Sequence, residues 1–296
     1  MVIVSIVILS YNRKEDIRES LEKLYSYNLN NTEIIVVDNG SSDGSAEMIE
    51  SEYPSVRLLK LKENIGVSGY NKGFAISKGK YILILDDDSF PSENSVKRMI
   101  EEFEKDKTIG IIAFDVRNYN SYNQVSKQDE NKEQEKKTDK KRYLMGFNGA
   151  GAGIRKQLID KIGGYPDEFF LYWNEMDLSI RVLNEGYKIL WVNDIISYHK
   201  YSPKNRDSQR GPFYYTRNLY WIILKYFPLF KGIGKILKLL YYSVYFGLEQ
   251  KTVIYLKASF NAIFNSKIAF KNRKKIKKEI IENIRIEYRL PFIIYR

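Results

Sequence analysis

Short apolar runs alternate with amphipathic stretches over the first 115 residues of the chain. Five runs rich in β-branched and other apolar residues have the length of β-strands, and they cover residues 2–9, 33–37, 56–61, 81–85 and 109–114. Four stretches with helical spacing lie between them, at residues 14–27, 44–52, 69–78 and 92–105. Because the runs lack an alternating polar face, they predict a parallel sheet that helices cover on both sides.

Residues 118–142 interrupt this alternation with a polar, low-complexity segment rich in Lys, Glu, Gln and Asn. Such a composition cannot bury a core, so we predict a mobile surface loop. An inert insertion is the simpler interpretation, and a lid over the site is the alternative. The apolar pattern resumes at residues 144–154. It then predicts a helix at 155–162, an acidic helix at 175–184 and a strand at 188–192.

The sequence becomes helical, aromatic and basic beyond residue 201. Lys231, Lys235 and Lys238 recur at i, i+4 and i+7 among apolar positions, which predicts an amphipathic basic helix. Two interpretations stay open, a helix lying in a membrane interface and a helix packing on its own domain. We place the domain boundary after residue 218, with a body at 1–218 and a basic tail at 219–296.

Charge is distributed unevenly along the chain, whose net charge is +11. Residues 201–296 hold 20 Lys or Arg against 5 Asp or Glu, a net charge of +15, which leaves −4 for residues 1–200. This asymmetry predicts attraction of the tail to an anionic surface. A membrane fits best, because no RNA-binding motif accompanies the basic residues.

The composition excludes several classes of site and sets the expected location. The chain has no cysteine, which excludes disulfides, zinc–thiolate sites and thiol nucleophiles. Its first apolar run lacks the basic flank of a signal peptide, and no run reaches the ~20 residues of a membrane span. We therefore expect a cytoplasmic protein, peripheral at the inner face of the cell membrane.

Polar side chains follow the predicted strands at the points where four of them end. The four segments are Ser10-Tyr11-Asn12-Arg13, Asp38-Asn39-Gly40-Ser41, Asn64-Ile65-Gly66 and Asp86-Asp87-Asp88. Ligands of open α/β sheets bind at the carboxyl ends of the strands. Turn chemistry alone would explain any one of these segments, but together they predict a binding site.

The chain has one histidine, His199, which stands shortly after the apolar run 189–192. A lone histidine is more often a solvated surface residue than a ligand. Here it accompanies Asp86 and Asp88, and imidazole with carboxylates suits hard divalent cations. We therefore predict a site for Mn2+ or Mg2+ beside a phosphorylated ligand.

The ordered motifs resemble those of the family 2 inverting glycosyltransferases with a GT-A fold, over residues 3–218. They are Ile8-Leu9-Ser10-Tyr11-Asn12-Arg13, Val37-Asp38-Asn39-Gly40, Asn64-Ile65-Gly66, Leu85-Asp86-Asp87-Asp88, Tyr172-Trp173-Asn174-Glu175-Met176-Asp177-Leu178, Tyr198-His199 and Arg217-Asn218. The likeness is to the rhamnosyltransferase-like branch in particular. Each motif is weak alone, and their shared order makes the resemblance specific.

This resemblance implies a Rossmann-like, mostly parallel sheet flanked by helices, followed by a basic α-helical appendage. It implies inverting, metal-dependent transfer of a hexosyl or deoxyhexosyl group from a nucleoside-diphosphate sugar to an acceptor hydroxyl. The acceptor is expected to be a lipid-linked or cell-surface glycan. Formation of a homo-oligomer stays open.

The resemblance also implies roles for individual residues. Donor-binding positions are Ser10, Tyr11, Asn12, Arg13, Asp38, Asn64, Gly66, Asn71, Asp86, Asp87 and Arg217. The acceptor or sugar pocket includes Asn148, Gly149, Tyr172 and Trp173. Metal ligands are Asp88 and His199, with Asp86 binding the metal, its water shell or the ribose.

The catalytic base implied by the resemblance is Glu175, where the family more often has Asp. Asp177 is its rival, but it follows two positions later, roughly 200° around a helix, and should face elsewhere. Without the resemblance, both would be acids favoured in a first helical turn.

Two other functions compete with glycosyl transfer. Sugar nucleotidyltransferases have similar strand ends but carry a Gly-rich, basic phosphate loop after the first strand, which Ser10–Arg13 lacks. A non-enzymatic basic protein associated with membrane or RNA, built on a degenerate nucleotide fold, is the other alternative. Nucleic acid ranks well behind membrane as a partner.

Overall fold

A nine-stranded sheet organises the part of the chain that the computed structural model describes, residues 2–119, 140–201, 209–286 and 288. Its strands are β1 (Val4–Ser10), β2 (Thr32–Asp38), β3 (Arg57–Lys60), β4 (Tyr81–Asp86), β5 (Ser89–Pro91), β6 (Ile109–Asn118), β7 (Lys141–Leu144), β8 (Ala152–Arg155) and β9 (Lys188–His199). The helices of the body are α1 (Lys14–Ser26), α2 (Ser45–Glu52), α3 (Gly69–Ile76), α4 (Ser95–Lys105), α5 (Lys156–Ile162) and α6 (Asn174–Asn184). A short 3-10 turn, Gly66–Ser68, precedes α3.

The strand order in the sheet is β3-β2-β1-β4-β8-β6-β9-β5, and β7 pairs with β9. Strands β3, β2, β1 and β4 are mutually parallel. The other half is mixed, because β8 runs antiparallel to β4 and β6, while β6 and β9 are parallel. The predicted α/β sheet flanked by helices is confirmed, but it is less parallel than predicted, because the fifth predicted strand, β6, lies between β8 and β9 in the mixed half.

Alternate residues of each parallel strand enter two different hydrophobic cores. Along β4, Tyr81, Leu83 and Leu85 pack with α1, α2 and α4 on one face. Ile82 and Ile84 pack with α3, α5 and α6 on the other. Since both faces are covered, the strands need apolar residues at every position, which explains the continuous apolar runs of the sequence.

Strand β9 is longer than the predicted strand 188–192, because it continues to His199. Asn193 and Asp194 look like turn residues in the sequence, but Asp194 accepts a hydrogen bond from Arg98 of α4 at 3.0 Å. Beyond them β9 pairs again with β6 after a register shift, and its end pairs with β5. Tertiary pairing therefore overrides the local turn signal and fixes the position of His199.

The predicted loop at 118–142 is too long at both ends. Residue 118 belongs to β6, and residues 141 and 142 begin β7, which pairs with β9. Arg142 also stacks on the ring of Trp191, 4.3 Å from its centroid. Because β7 pairs with β9, the polar residues 141 and 142 become part of the sheet. The central part of the predicted loop, 120–139, lies outside the described residues.

Five helices follow the body, α7 (Arg210–Tyr226), α8 (Leu229–Glu249), α9 (Ile254–Phe264), α10 (Ser266–Lys271) and α11 (Lys278–Asn283). Helix α7 runs through the predicted boundary at 218 without a break. Its buried side chains share one hydrophobic core with Phe169 and Ile180 of the body and with Tyr255 of α9. The division into two domains stays a prediction. Within the described ranges, the helices are all too short or too polar to span a bilayer.

A buried ion cluster joins α6 to α7. Asp177 is 1% exposed and contacts Arg181 at 2.8 Å and Lys225 at 2.5 Å. Its Oδ1 also accepts a hydrogen bond from the Tyr226 hydroxyl at 2.7 Å. Burial acts to raise the pKa of Asp177, but the charges of Arg181 and Lys225 lower it overall. The carboxylate therefore stays ionised at the junction of body and tail.

We expect Asp177→Asn to lower the free energy of unfolding by roughly 3–5 kcal/mol, because two buried cations lose their carboxylate. The measurement is urea unfolding followed by circular dichroism. Asp160→Asn is the matched control, since Asp160 pairs with Lys156 at an exposed position and should change stability by less than about 1 kcal/mol. Equal free energies of unfolding for the two variants would contradict a stabilising role of the cluster.

Candidate active site

The carboxyl ends of β1, β2 and β4 meet at one edge of the sheet. In the pairing of β1 with β4, Leu9 lies opposite Asp86, and in that of β1 with β2, Ser10 lies opposite Asp38. The short strand β5 then turns back and pairs antiparallel with β9, so that Ser89 lies opposite His199. Segments far apart in sequence therefore bring their polar ends to one place.

Asp86, Asp88 and His199 form a cluster that can hold a metal ion. One ligand atom from each residue lies within 4.8 Å of the other two. His199 Nε2 is 2.9 Å from Asp88 Oδ1 and 3.7 Å from Asp86 Oδ2. Both imidazole nitrogens are buried, and neither makes a hydrogen bond of acceptable geometry with the residues that the structure describes.

Buried polar atoms in proteins are normally hydrogen-bonded, so an imidazole whose close contacts to two carboxylates lack hydrogen-bond geometry is suited to a further ligand. Two carboxylates and one imidazole are a suitable donor set for Mn2+ or Mg2+. The residues present therefore fit the divalent cation that the sequence predicts.

Asp87 is not part of this cluster and pairs with Arg13. Arg13 Nη1 lies 3.2 Å from Asp87 Oδ1 and 3.0 Å from Asp88 Oδ2. Burial raises the pKa of Asp87 against the opposing charge of Arg13, and together with the charges of Asp88 and Asp86 it brings the pKa to about 7. Arg13 thus offsets part of the repulsion among three successive carboxylates, and it lies beside the metal cluster.

Asp38 presents a buried acceptor at the end of β2. Its side chain is 3% exposed, and Oδ2 accepts a hydrogen bond from the Ser41 backbone N–H at 3.1 Å. Oδ1 is buried and makes no hydrogen bond within the described part of the chain. The neighbouring Ser10 Oγ has the same property. Such atoms are ready to accept or share a hydrogen bond with a ligand.

Hydrogen bonds join the loop after β1 to the loop after β2, beside these acceptors. Asn12, at φ 53, accepts a hydrogen bond from the Ser42 backbone N–H at 2.7 Å and donates its own N–H to Ser41 Oγ at 2.9 Å. The Tyr11 backbone N–H points to Asp87 Oδ2 at 3.4 Å. The first two strand ends therefore form one rigid edge.

Asn39 is a positioning residue that the sequence reasoning missed. Its amide donates to Asn64 Oδ1 at 2.9 Å and to the Gly66 carbonyl at 3.1 Å. Its Oδ1 accepts from the Ile65 N–H at 3.1 Å. A signal was present, since Asn39 stands directly after Asp38, but only the Asp had a role in the resemblance.

Gly66 is required by a close approach of two backbones. It adopts φ +68, and a Cβ there would lie 2.1 Å from the carbonyl oxygen of Phe170. The Val67 N–H donates to that same oxygen at 2.9 Å. The segment that leads into α6 therefore rests on the segment that leads into α3.

Asn71 also holds that segment. Its amide donates to the Tyr165 carbonyl at 2.8 Å and to Asp167 Oδ1 at 3.0 Å, while its Oδ1 accepts from the Tyr165 N–H at 2.8 Å. These bonds occupy the side chain, so its predicted contact with the donor stays a prediction. The Tyr165 ring packs edge-on against Tyr70, and burial together with the charges of Glu175 and Asp86 raises the pKa of its hydroxyl.

Glu175 lies in the first turn of α6 and faces the site. Burial raises the pKa of its carboxyl to about 7, and the charge of Asp86 adds to this shift. Asp177 is instead enclosed in the ion cluster with α7, as two positions along a helix require. The geometry therefore leaves Glu175 as the carboxylate available for chemistry at this end of α6.

Gly149 provides the space that the Glu175 carboxylate occupies. A Cβ at Gly149 would lie 2.6 Å from Glu175 Oε1. Asn148, whose Oδ1 accepts from the Ala150 N–H at 2.9 Å, closes the turn that carries this glycine. The two residues predicted for the sugar pocket are thus neighbours of the predicted base.

Tyr172 and Trp173 form a strained corner before α6. Both have φ 67, a conformation that costs a non-glycine residue about 1–3 kcal/mol and that concentrates at functional sites. The Trp173 indole N–H donates to the Tyr215 carbonyl at 3.0 Å, and the Asn218 amide donates to the Tyr172 carbonyl at 3.1 Å. Helix α7 therefore holds the corner in place.

Arg217 packs among aromatic rings in this structure. Its guanidinium lies 4.3 Å from the Trp221 ring centroid and 4.7 Å from that of Tyr214, and it donates to the Glu168 carbonyl at 3.0 Å. Burial lowers its pKa to about 10. The predicted contact of Arg217 with a diphosphate stays a prediction.

Comparisons with known proteins show what the chain is similar to. The family model described as glycosyl transferase family 2 matches residues 5–163. Glycosyltransferase GlyG of Streptococcus pneumoniae is 31% identical over 43% of this chain and 45% of its own length. The probable glycosyltransferase YdaM of Bacillus subtilis is 25% identical over 77% of this chain and 57% of its own length. The chain spans about half the length of these curated relatives.

Solved structures share the fold at low sequence identity. The mannosyltransferase PcManGT from Pyrobaculum calidifontis, in complex with GDP-Man and Mn2+, superposes with a TM-score of 0.56 at 18% identity, over 73% of this chain and 61% of its own. GalNAc-T7 with UDP, GalNAc and Mn2+ superposes with a TM-score of 0.66 at 15% identity, over 96% of this chain and 56% of its own. Both likenesses support the GT-A architecture.

We expect Asp88→Ala and His199→Ala each to weaken Mn2+-dependent binding of UDP or GDP by at least about tenfold, since even the outer partners of a metal site contribute that much. Calorimetric titration of each nucleotide with and without Mn2+ measures the effect. Asp160→Ala, an exposed carboxylate far along α5, is the control and should bind as the unmodified chain does. The cation site would be contradicted if both variants kept the metal dependence and the nucleotide affinity of the unmodified chain.

Proposed function

The chain belongs to glycosyl transferase family 2, and we propose that it transfers a hexosyl or deoxyhexosyl group from a nucleoside-diphosphate sugar to an acceptor hydroxyl with inversion. The observation that carries this proposal is the juxtaposition of the Asp86–Asp88–His199 cluster with a base-like Glu175. A metal cluster and a carboxylate of raised pKa close to each other are the two groups that a single displacement needs.

The donor nucleotide is assigned to the edge formed by β1 and β2. Asp38 Oδ1, buried and without a hydrogen bond in the described structure, accepts an N–H group of the base. Asn39 and Gly66 shape the wall of this edge. Uracil and guanine both carry a ring N–H beside a carbonyl, so the site chemistry is compatible with either base.

The diphosphate lies beside Asp86, Asp88 and His199. A divalent cation held by these residues supplies positive charge that stabilises the leaving nucleoside diphosphate. Arg13 contacts Asp88 at 3.0 Å, and His199 is held beside both carboxylates by the pairing of β9 with β5.

Glu175 accepts the proton of the attacking hydroxyl. The carboxylate lies beside Gly149, and its pKa of about 7 makes it a competent base near neutral pH. The base acts on the side of the sugar opposite the leaving diphosphate, so one displacement inverts the anomeric carbon. Tyr172 and Trp173, which directly precede α6, line the pocket for the sugar or the acceptor in this proposal.

The acceptor class we propose is a lipid-linked or cell-surface glycan. Support comes from the basic tail, which carries an excess of positive charge next to the catalytic body. The rhamnosyltransferase-like motifs of the sequence make a deoxyhexose the first donor sugar to test.

Incubation with a panel of sugar nucleotides and Mn2+ tests the proposal without knowledge of the acceptor. One donor should give slow release of nucleoside diphosphate, and chelation of the metal should stop it. NMR analysis of a transferred anomeric centre then reports inversion or retention. Failure of all donors to release nucleotide, in a preparation that binds UDP or GDP, would contradict transferase activity of the chain.

Glu175→Gln should reduce transfer by about 10²–10⁴-fold with nearly unchanged donor affinity, because it removes the base but keeps the size of the side chain. The unmodified enzyme should gain activity as pH rises through about 7, where Glu175 loses its proton, and then level off. The variant should lose this rise. Glu175→Asp is the matched control, since it retains a carboxylate and should keep the pH dependence at a lower rate. A Gln variant with near-normal turnover would move the base elsewhere.

A further inference from the structure

Helix α8 turns one narrow face of small side chains toward the rest of the tail. Its buried positions are Gly232, Leu239, Ser243 and Gly247. Ser243 Oγ accepts a hydrogen bond from Ser259 Oγ of α9 at 3.1 Å. Ser243 allows close packing of α8 on α9, Gly232 faces Ile223 and Phe227, and most of the larger apolar residues of α8 lie on its other faces.

The opposite face of α8 is apolar and points outward. Its exposed members, which we call the α8 stripe, are Phe230, Ile233, Leu237, Tyr241, Val244 and Leu248. At about 100° per residue these positions fall within a sector of roughly 80° and extend over about 27 Å. Phe230 is 93% exposed and Leu248 is 75% exposed. A helix on a protein surface ordinarily turns polar residues outward, so this face requires an occupant.

Lysines follow one margin of the α8 stripe. Lys231, Lys235 and Lys238 lie about 80–140° around the helix from Phe230, between the stripe and the buried face. Residues 229–286 hold 13 Lys or Arg against 3 Asp or Glu, a net charge of +10. An apolar face with a cationic margin is the arrangement of helices that lie in a membrane interface, where lysines reach the headgroups.

A basic cavity of about 520 Å³ opens at the start of α8. Cations lining it are Lys231, Lys274, Lys275, Lys278 and Arg273, with Glu282 as the acidic residue. Arg273 donates to the carbonyl oxygen of Phe227 at 2.6 Å, so it supports the end of α7. The cavity has room for a phosphate group, and its lysines supply the positive charge. One of them, Lys231, directly follows the exposed Phe230.

We infer that the α8 stripe docks into the surface of an anionic lipid bilayer, with headgroup phosphates at the lysine margin and in the basic cavity. A second copy of the chain fits less well, because two such faces would bring their lysines together. Nucleic acid would use the lysines but not the stripe. The docking does not depend on the transfer reaction, since none of these residues belongs to the active site.

Flotation of the full chain with phosphatidylcholine vesicles, with and without phosphatidylglycerol, tests the docking. Binding should require the anionic lipid and weaken as ionic strength rises. Phe230→Ser with Leu237→Ser should reduce the partition coefficient by about tenfold for each side chain removed. The matched control is Tyr25→Ser with Tyr143→Ser, which removes two exposed aromatic rings from the body and should leave binding unchanged.

A second pair of variants separates the charges from the stripe. Lys231→Gln with Lys275→Gln should lower binding at low salt and flatten its salt dependence, because juxtamembrane lysines act through the surface potential. Lys97→Gln with Lys107→Gln removes two exposed lysines of the body and is the control. Point substitutions are preferable to removal of residues after 218, which would cut α7 in its middle. Mn2+-dependent nucleotide binding by every variant shows that the body is folded.

Three results would overturn the inference. The first is vesicle binding by the stripe variant equal to that of the unmodified chain. The second is absence of binding to any vesicle. The third is a dimer in sedimentation experiments that Phe230→Ser with Leu237→Ser dissociates, which would make a second copy the occupant. Salt-sensitive binding of the lipid that needs both the stripe and the lysines would support it.

Discussion

The pairing of Arg13 with Asp87 and Asp88 is the interaction on which the site depends. Three successive carboxylates end β4 in a largely buried position, and two unit charges about 4 Å apart repel by about 4 kcal/mol at an effective dielectric of about 20. Arg13, delivered by the end of β1, offsets that repulsion at 3.2 and 3.0 Å. Asp86 and Asp88 can then face His199, and the parallel pairing of β1 with β4 brings the cation and the acids together.

Local patterns were sufficient to predict the first half of the fold. The parallel strands are buried on both faces, so their apolar runs and the intervening helices are visible in the sequence itself. The end of β9 was not predictable in this way. Asn193 and Asp194 break the apolar pattern, and only pairing with β6 and β5 extends the strand to His199. Short strands such as β5 form because they pair with a partner strand more than 100 residues away in sequence.

The site shows the same limit at the level of single residues. Helical spacing sufficed to predict that Glu175 and Asp177 face different directions. The sequence could not reveal that Lys225 of α7 forms an ion pair with Asp177. Asn39 and Tyr165 were missed, because their roles arise from hydrogen bonds and burial between distant segments. The left-handed backbone at Trp173 likewise has no local signature, since a bulky aromatic residue is a poor candidate for positive φ.

The burial of a single histidine has a spectroscopic consequence. His199 is the only imidazole among 296 residues, so its carbon-bound protons give one set of magnetic-resonance signals without overlap from other histidines. Because the ring lies 2.9 Å from Asp88, a paramagnetic ion entering there would broaden those signals selectively. The chain also lacks cysteine, so one introduced thiol accepts a unique label from which a distance to that ion can be measured. The native composition thus provides a background-free reporter within the Asp86–Asp88–His199 cluster.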